Sequence, residues 1–372
     1  MLTKNQFALL SYIAVRPADE PVLSQRAIAQ GTGKALGTVN GLVKQLDAMG
    51  YLDGANRITD AGRAALAPYR VDNAVIMAAG MSSRFAPLSY EKPKALLKVK
   101  GEVLIEREIR QLQAAGIDDI TIVVGYMKEK LFYLEDRFHV KIVINEDYHR
   151  YNNPSTLMLV RDRLKNTFIC SSDNYFEQNP FEPYVYQAYY AALYSVGKTD
   201  EYCVVTNRKG RITGVQVGGS DAWYMIGHAY FDRSFSEKFT QILEREYDSP
   251  VTRAGLWEDL YARHIRELEM YIRKYPGGIR EFDSLDELRT FDSAYVTNTD
   301  SYIFDNICAV LHCTPDSIHG IIPIKTGLTN LSFKFSCGGR DYVYRHPGAG
   351  TEAYIDRPAE ARALEVAKAL GL

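Results

Sequence analysis

Three cations stand close behind a run of small and apolar residues. Ala74 to Met77 is apolar, Ala78-Ala79-Gly80 is a turn of small residues, and Ser82, Ser83 and Arg84 follow. Lys92-Pro93-Lys94 comes a short way on. A buried strand that empties into a tight polar turn exposes backbone N–H groups, which cradle phosphates. Ala78, Ala79, Gly80, Ser82 and Ser83 are therefore the candidate nucleotide-binding loop. Arg84, Lys92 and Lys94 would bring positive charge to the same triphosphate. A bound triphosphate also calls for carboxylates that hold Mg²⁺. The first candidate is Asp173, in Cys170-Ser171-Ser172-Asp173-Asn174-Tyr175, just past the apolar run Thr167 to Ile169. That places it at the carboxyl end of a strand, where an aspartate could equally cap the next turn.

These residues need a scaffold, and 71–295 carries one in its rhythm. Strand signals at Ala74–Met77, Ile120–Val124, Val140–Ile144 and Thr167–Ser171 alternate with helix signals near Leu104–Ala114, Tyr126–Arg137 and Ser155–Leu164. That alternation predicts an α/β domain with a mixed, mostly parallel sheet and helices on both faces. Ligands of such sheets bind at the carboxyl ends of the strands, where the loop after Met77 sits. The stretch 183–235 is richer in tyrosine and in short β-like runs, and is the expected second-substrate side.

The bulk numbers exclude some classes. At 372 residues two or three domains fit, and a net charge of -2 argues against a chain built mainly to coat nucleic acid. No stretch approaches the ~18 apolar residues of a membrane span. The opening MLTKNQFALL lacks the basic start and apolar core of a signal peptide. Cysteines 170, 203, 308, 313 and 337 are scattered and odd in number. Reduced thiols in a cytoplasmic protein are the expectation. The oligomeric state is not legible.

Residues 1–70 read as a separate helical module. Asn5 to Ala14 has helical apolar spacing, Ser24 is an N-cap candidate for a second helix, and Ala35 to Met49 buries Val39, Leu42, Val43 and Leu46 along one side. Gly50-Tyr51-Leu52 and Arg57-Ile58-Thr59 suit the two strands of a wing. The module resembles a winged helix-turn-helix, whose third helix enters the major groove. By that resemblance Lys34, Thr38, Asn40, Lys44 and Arg57 would face DNA. With eight basic and five acidic residues the segment neutralises few phosphates, so a protein-contact or regulatory module is the alternative.

The loop, Arg84 and Lys92-Pro93-Lys94 together resemble the sugar-nucleotide-type nucleotidyltransferases, which usually carry a second glycine where Ser82 stands. Glu91-Lys92-Pro93-Lys94-Ala95-Leu96, Val124-Gly125-Tyr126, Tyr151-Asn152-Asn153, Asp173-Asn174-Tyr175 and Phe282-Asp283-Ser284 resemble bacterial CTP:phosphocholine cytidylyltransferases over roughly 72–292. The resemblance implies a Rossmann-like core and Mg²⁺-dependent transfer of CMP from CTP to phosphocholine. It also implies that Leu256-Trp257-Glu258-Asp259 puts Glu258 at the second metal position, where aspartate is usual, with Asp259 as a substitute. Asn152 and Asn153 would read cytosine, because each amide offers a donor and an acceptor, although Asn153 could simply cap a helix. Trp223, Tyr230, Phe231, Trp257 and Tyr175 are candidates to face a quaternary ammonium, yet aromatics more often fill cores. The rivals are a cytidylyltransferase for phosphoethanolamine, 2-aminoethylphosphonate or a sugar phosphate, and a nucleotide-sensing winged-helix regulator.

Residues 296–372 change character. Asp305–His312 is helical, a turn at Gly327 joins two strands, Asp341–Arg345 is a third strand, and Ala359–Leu370 is a helix. The stretch YRHPGAGTEAYIDRPAE resembles the start of bacterial choline kinases and their aminoglycoside-phosphotransferase-like relatives. That implies a loop at Gly327–Asn330 over ATP phosphates, Arg345 as the strand's nucleotide-contacting cation and Glu360 as its helix partner. No catalytic loop or metal-binding aspartate of a kinase follows, so a partial N-lobe without kinase activity is expected.

Overall fold

Alanine, valine and isoleucine at 74–76 offer water nothing to bond, and in the computed structural model they lie inside a sheet with no exposed surface. The structure describes residues 1–17, 21–82, 85–282, 284–297, 299–324, 330–348, 351 and 355–371. They fall into two compact units, Met1–Gly80 with Glu102–Glu281, and Met81–Gly101 with Phe282–Leu372.

The first unit begins with helices α1 (Lys4–Ala14), α2 (Gln25–Thr32), α3 (Leu36–Ala48) and α4 (Asp60–Leu66). Ser24 caps α2 by accepting from the Ala27 N–H at 3.2 Å, and Gly33 ends it in the left-handed region at φ 64°. Val39, Leu42, Val43 and Leu46 face a common core with Leu9, Leu10 and Ile28. In place of two wing strands there is a single bridge, Leu52 to Ile58.

The sheet is built from β1 (Asn73–Ala78), β2 (Ile120–Val124), β3 (Lys141–Ile144), β4 (Thr167–Ser171), β6 (Tyr189–Thr206), β7 (Ile212–Phe231) and β8 (Tyr271–Lys274), with β5 (Asn174–Phe176) leaving it after β4. The order is β8-β6-β7-β4-β1-β2-β3. β1 runs parallel to β2 and to β4, β2 to β3, and β8 to β6, while β7 is antiparallel to β4 and β6. The short β-like runs of 183–235 are really two strands of 18 and 20 residues in one hairpin. Several register shifts along that hairpin reset the inside–outside alternation, so it reads as fragments. Helices α5 (Leu104–Ala114), α6 (Tyr133–Phe138), α7 (Asn153–Leu159), α8 (Arg233–Glu246), α9 (Pro250–Ala254) and α10 (Trp257–Arg263) complete the unit, and β9 (Ile279–Glu281) pairs with β5. α6 starts later than its sequence suggests, because Met127 is left-handed at φ 48° and a short 3-10 turn precedes the helix.

His228 on β7 is buried among Phe168, Phe176, Phe181, Tyr189 and Tyr275, with ring centroids within 6.3 Å. Burial, helped by Arg273, pushes its pKa down to about 3. The unfolded chain takes up that proton near pH 6.5, so native stability is lost as pH falls from there toward 3. The loss is about 1 kcal/mol per pH unit. Thermal melting from pH 7 to 4 is expected to fall less steeply in His228→Gln than in the parent, and equal slopes would clear His228 of the acid sensitivity.

The second unit holds the strap 81–101, helices α11 (Leu285–Phe291), α12 (Ala294–Thr297), α13 (Tyr302–Leu311) and α14 (Arg357–Ala369), and an antiparallel sheet β10 (His319–Ile324), β11 (Asn330–Cys337), β12 (Arg340–Pro347) in that order. Arg345 on β12 and Glu360 on α14 form an ion pair at 2.5 Å. Most of the Gly327–Asn330 loop lies outside the described residues. Among the described residues no helix is long and apolar enough to cross a membrane.

Candidate active site

The carboxyl ends of β1, β2, β3 and β4 form one edge, and backbone bonds tie it together. Ala79 carbonyl accepts from the Tyr126 N–H at 3.1 Å, just after β2. The Asn145 N–H after β3 donates to the Val124 carbonyl at 2.8 Å. Ser172 N–H, after β4, points to the Met77 carbonyl at 3.4 Å. Ala78 and Ala79 are buried and Gly80 is exposed at this edge, with half-buried Asp173 in the β4–β5 turn beside β1. Two glycines permit close approach. A Cβ on Gly125 would meet the Tyr148 ring at 2.7 Å, and one on Gly227, at φ +67°, would meet the Asn174 side chain at 2.6 Å.

Asn145 is buried, and its Nδ2 donates to Ser155 Oγ at 2.9 Å and Thr156 Oγ1 at 3.2 Å. It therefore fixes the first turn of α7 against the same edge. Asn152 caps α7, while its N–H donates to the Arg253 carbonyl at 2.9 Å. Asn153 does not cap its own helix. Its Oδ1 accepts from the Trp257 N–H at 2.7 Å, which opens α10, and its amide also bonds the Glu258 carboxylate. Asn152, Asn153 and Glu258 thus share one corner.

Glu258 is buried on α10 and accepts from Tyr190 O–H at 2.8 Å through Oε1. Its Oε2 is buried with no hydrogen-bond partner among the described residues. Burial raises its pKa to about 7, against the opposing hydrogen bonds from its own backbone, Tyr190 and Asn153. An orphaned carboxylate oxygen in a dry place suits a divalent cation, which would restore the charged form. Asp259 is already engaged, because it accepts from the Leu256 N–H at 2.7 Å and from Tyr202 O–H at 2.9 Å. Among the described residues no group of three or more His, Cys, Asp or Glu could hold a metal. Mg²⁺ asks for less, since one or two protein carboxylates plus phosphate oxygens and water suffice.

Within the second unit, Ser82 is left-handed at φ 46°, a conformation that glycine adopts without strain. That is the physical reason a glycine suits the position better. Ser83 and Arg84 lie outside the described residues. Lys94 is 7% exposed and its Nζ lies 5.3 Å from the Phe85 ring centroid. Lys92 Nζ forms an ion pair with Asp300 at 2.9 Å.

The aromatic candidates mostly resolve into core. Trp257, Tyr230 and Phe231 are buried, and the Trp257 ring stacks on Tyr190 at 5.5 Å. Lys274 lies over Trp223 at 4.6 Å and Arg107 over Tyr175 at 4.7 Å. Sequence reasoning missed Tyr190, Asn145 and Arg253, which support the corner. It also missed Glu108 of α5, buried beside Cys170 and near Asp173, whose carboxyl burial pushes well above the usual carboxylate range. Only the unexpected charge of Glu106 and Glu108 inside an otherwise amphipathic helix hinted at it.

Residues 74–234 match the model of the MobA-like NTP transferase domain. The chain is 31% identical over 220 residues to the choline-phosphate cytidylyltransferase of Streptococcus pneumoniae, covering 59% of this chain and 96% of that protein. It is 34% identical over 229 residues to the 2-aminoethylphosphonate cytidylyltransferase of Lancefieldella rimae, covering 60% of this chain and 93% of that protein. The solved CTP:phosphocholine cytidylyltransferase from Streptococcus pneumoniae superposes with a TM-score of 0.58 at 32% identity, over 60% of this chain and 98% of that chain.

Proposed function

The chain belongs to the MobA-like NTP transferase family of nucleotidyltransferases, and on that premise we propose that it transfers CMP from CTP to phosphocholine, giving CDP-choline and pyrophosphate. The observation that carries this reading is the nearly end-to-end match to two cytidylyltransferases whose acceptors both join an amine to a phosphorus oxyacid. The acceptor phosphate attacks the α-phosphorus in line, and the pyrophosphate leaves. No covalent enzyme intermediate is needed, so the protein's work is alignment and charge neutralisation.

Arg84, Lys92 and Lys94 neutralise the triphosphate. The backbone of Ala78, Ala79 and Gly80 with Ser82 and Ser83 cradles it, and the exposed Asn152 amide reads the base. Asp173 and Glu258 hold Mg²⁺, which when bound supplies positive charge to phosphate oxygens. Asn153 orients Glu258 and supports α10, which leaves it less free to read cytosine. The three-stranded sheet and the Arg345–Glu360 pair support a kinase N-lobe-like reading of the second unit.

The test is pyrophosphate release from CTP and Mg²⁺ with phosphocholine, phosphoethanolamine, 2-aminoethylphosphonate and glucose 1-phosphate. Release with phosphocholine well above the others is expected. Preference for a primary amine would move the assignment to phosphoethanolamine or the phosphonate. No release with any acceptor would favour a nucleotide-sensing regulator, for which Thr38, Asn40 and Lys44 stand exposed along α3.

A further inference from the structure

The Tyr90-Glu91-Lys92 stretch of the strap is clasped by the far end of the chain. Lys92 Nζ donates to the Asp300 main-chain carbonyl at 2.8 Å and to its carboxylate at 2.9 Å. Glu91 Oε1 accepts from Ser301 Oγ at 2.6 Å and from the Ile303 N–H at 2.9 Å, at the start of α13. Tyr90 O–H donates to the Ser332 carbonyl at 3.2 Å, and its ring stacks on His346 at 6.1 Å. The strap lies inside the matched transferase domain, residues 74–234, whereas Asp300, Ser301 and Ser332 lie beyond it.

We propose that Asp300 is an intrachain competitor for Lys92, through which the C-terminal segment weakens CTP binding. This rests on the reading of Lys92 as a triphosphate ligand. An ammonium has three donors, and Asp300 takes two of them. A triphosphate reaching Lys92 meets the Asp300 carboxylate as a like charge. The pair is open enough to be challenged, with side-chain exposures of 18% and 56%. The main chain marks Asp300 as held in place, since it is left-handed at φ 49°, a conformation few side chains adopt. The bond to Lys92 also keeps the Asp300 carboxyl below its ordinary pKa, so the competing charge is present throughout the neutral range.

Asp300→Asn removes the charge and keeps both the main-chain carbonyl and a side chain that tolerates positive φ. Asp300→Gly is the second variant, because glycine takes that backbone freely. CTP affinity by calorimetry, and KM and kcat by pyrophosphate release, are compared with Lys92→Met and the double variant. Both Asp300 variants are expected to lower the Kd and KM for CTP about threefold, with kcat unchanged. Rising salt should narrow that gap, because the competition is electrostatic. In the Lys92→Met background the gain should vanish. If Lys92→Met weakens CTP binding while the Asp300 variants bind it as the parent does, or more weakly, the competition is overturned and the proposed function stands. If Lys92→Met leaves CTP binding intact, the triphosphate role of Lys92 fails, and the competition fails with it.

Discussion

Lys94→Ala is expected to lower kcat by about 10²–10³-fold while the urea midpoint of unfolding moves little. Lys94 opens a short 3-10 turn, Lys94–Leu96, directly after Pro93. The residue is 7% exposed, and its Nζ lies 5.3 Å from the Phe85 ring centroid. In the proposed role its fixed positive charge would meet the charge that develops on the departing pyrophosphate without having to reorganise, so the loss should fall mainly on kcat. Lys94→Arg should rescue little, because a planar guanidinium is larger than the compact ammonium and Lys94 is buried. The check is steady-state kinetics at saturating phosphocholine alongside urea unfolding. Near-normal turnover in Lys94→Ala would remove Lys94 from the chemistry.

Asp173→Asn should be the other large effect, on the order of 10²–10³-fold in kcat with a raised Mg²⁺ requirement. The turn holding Asp173 is anchored by β4 lying in parallel register with β1, Met77 opposite Ser171. Asparagine is isosteric, so this anchoring survives while the charge that would hold a cation is gone. Glu258→Gln is the informative comparison, since it can keep the bond from Tyr190 O–H while losing the charge. Activity titrated with Mg²⁺ should shift to higher metal in both variants. An Asp173→Asn enzyme with the parental Mg²⁺ dependence would end the case for Asp173 as a ligand.

Several elements were legible in the residue pattern because local physics decides them. Ala74–Met77 is apolar without alternation, as a strand covered on both faces must be, and it became β1. Ser24 precedes a helical period and caps α2. Glu258 and the two asparagines were named as site candidates, and the fold brings those three into one corner. The hairpin β6–β7 was misjudged as short runs, because its bulges break the period that sequence reading depends on. The aromatic candidates could not be sorted by type alone, since a core tryptophan and a ligand-facing one look alike until neighbours are known.

The sequence by itself determined the chemistry on offer and its order along the chain. A strand, a small-residue loop, spaced cations and strand-end carboxylates are local features, each set by a few neighbouring residues. Tertiary structure decided which partners those groups meet. Asn153 is tied to the start of α10, Asp259 to Leu256 and Tyr202, and Lys92 to Asp300, 208 positions away. Contacts of that separation depend on how whole elements pack, because a hydrogen bond needs its partner within about 3 Å. No spacing along the chain encodes that distance.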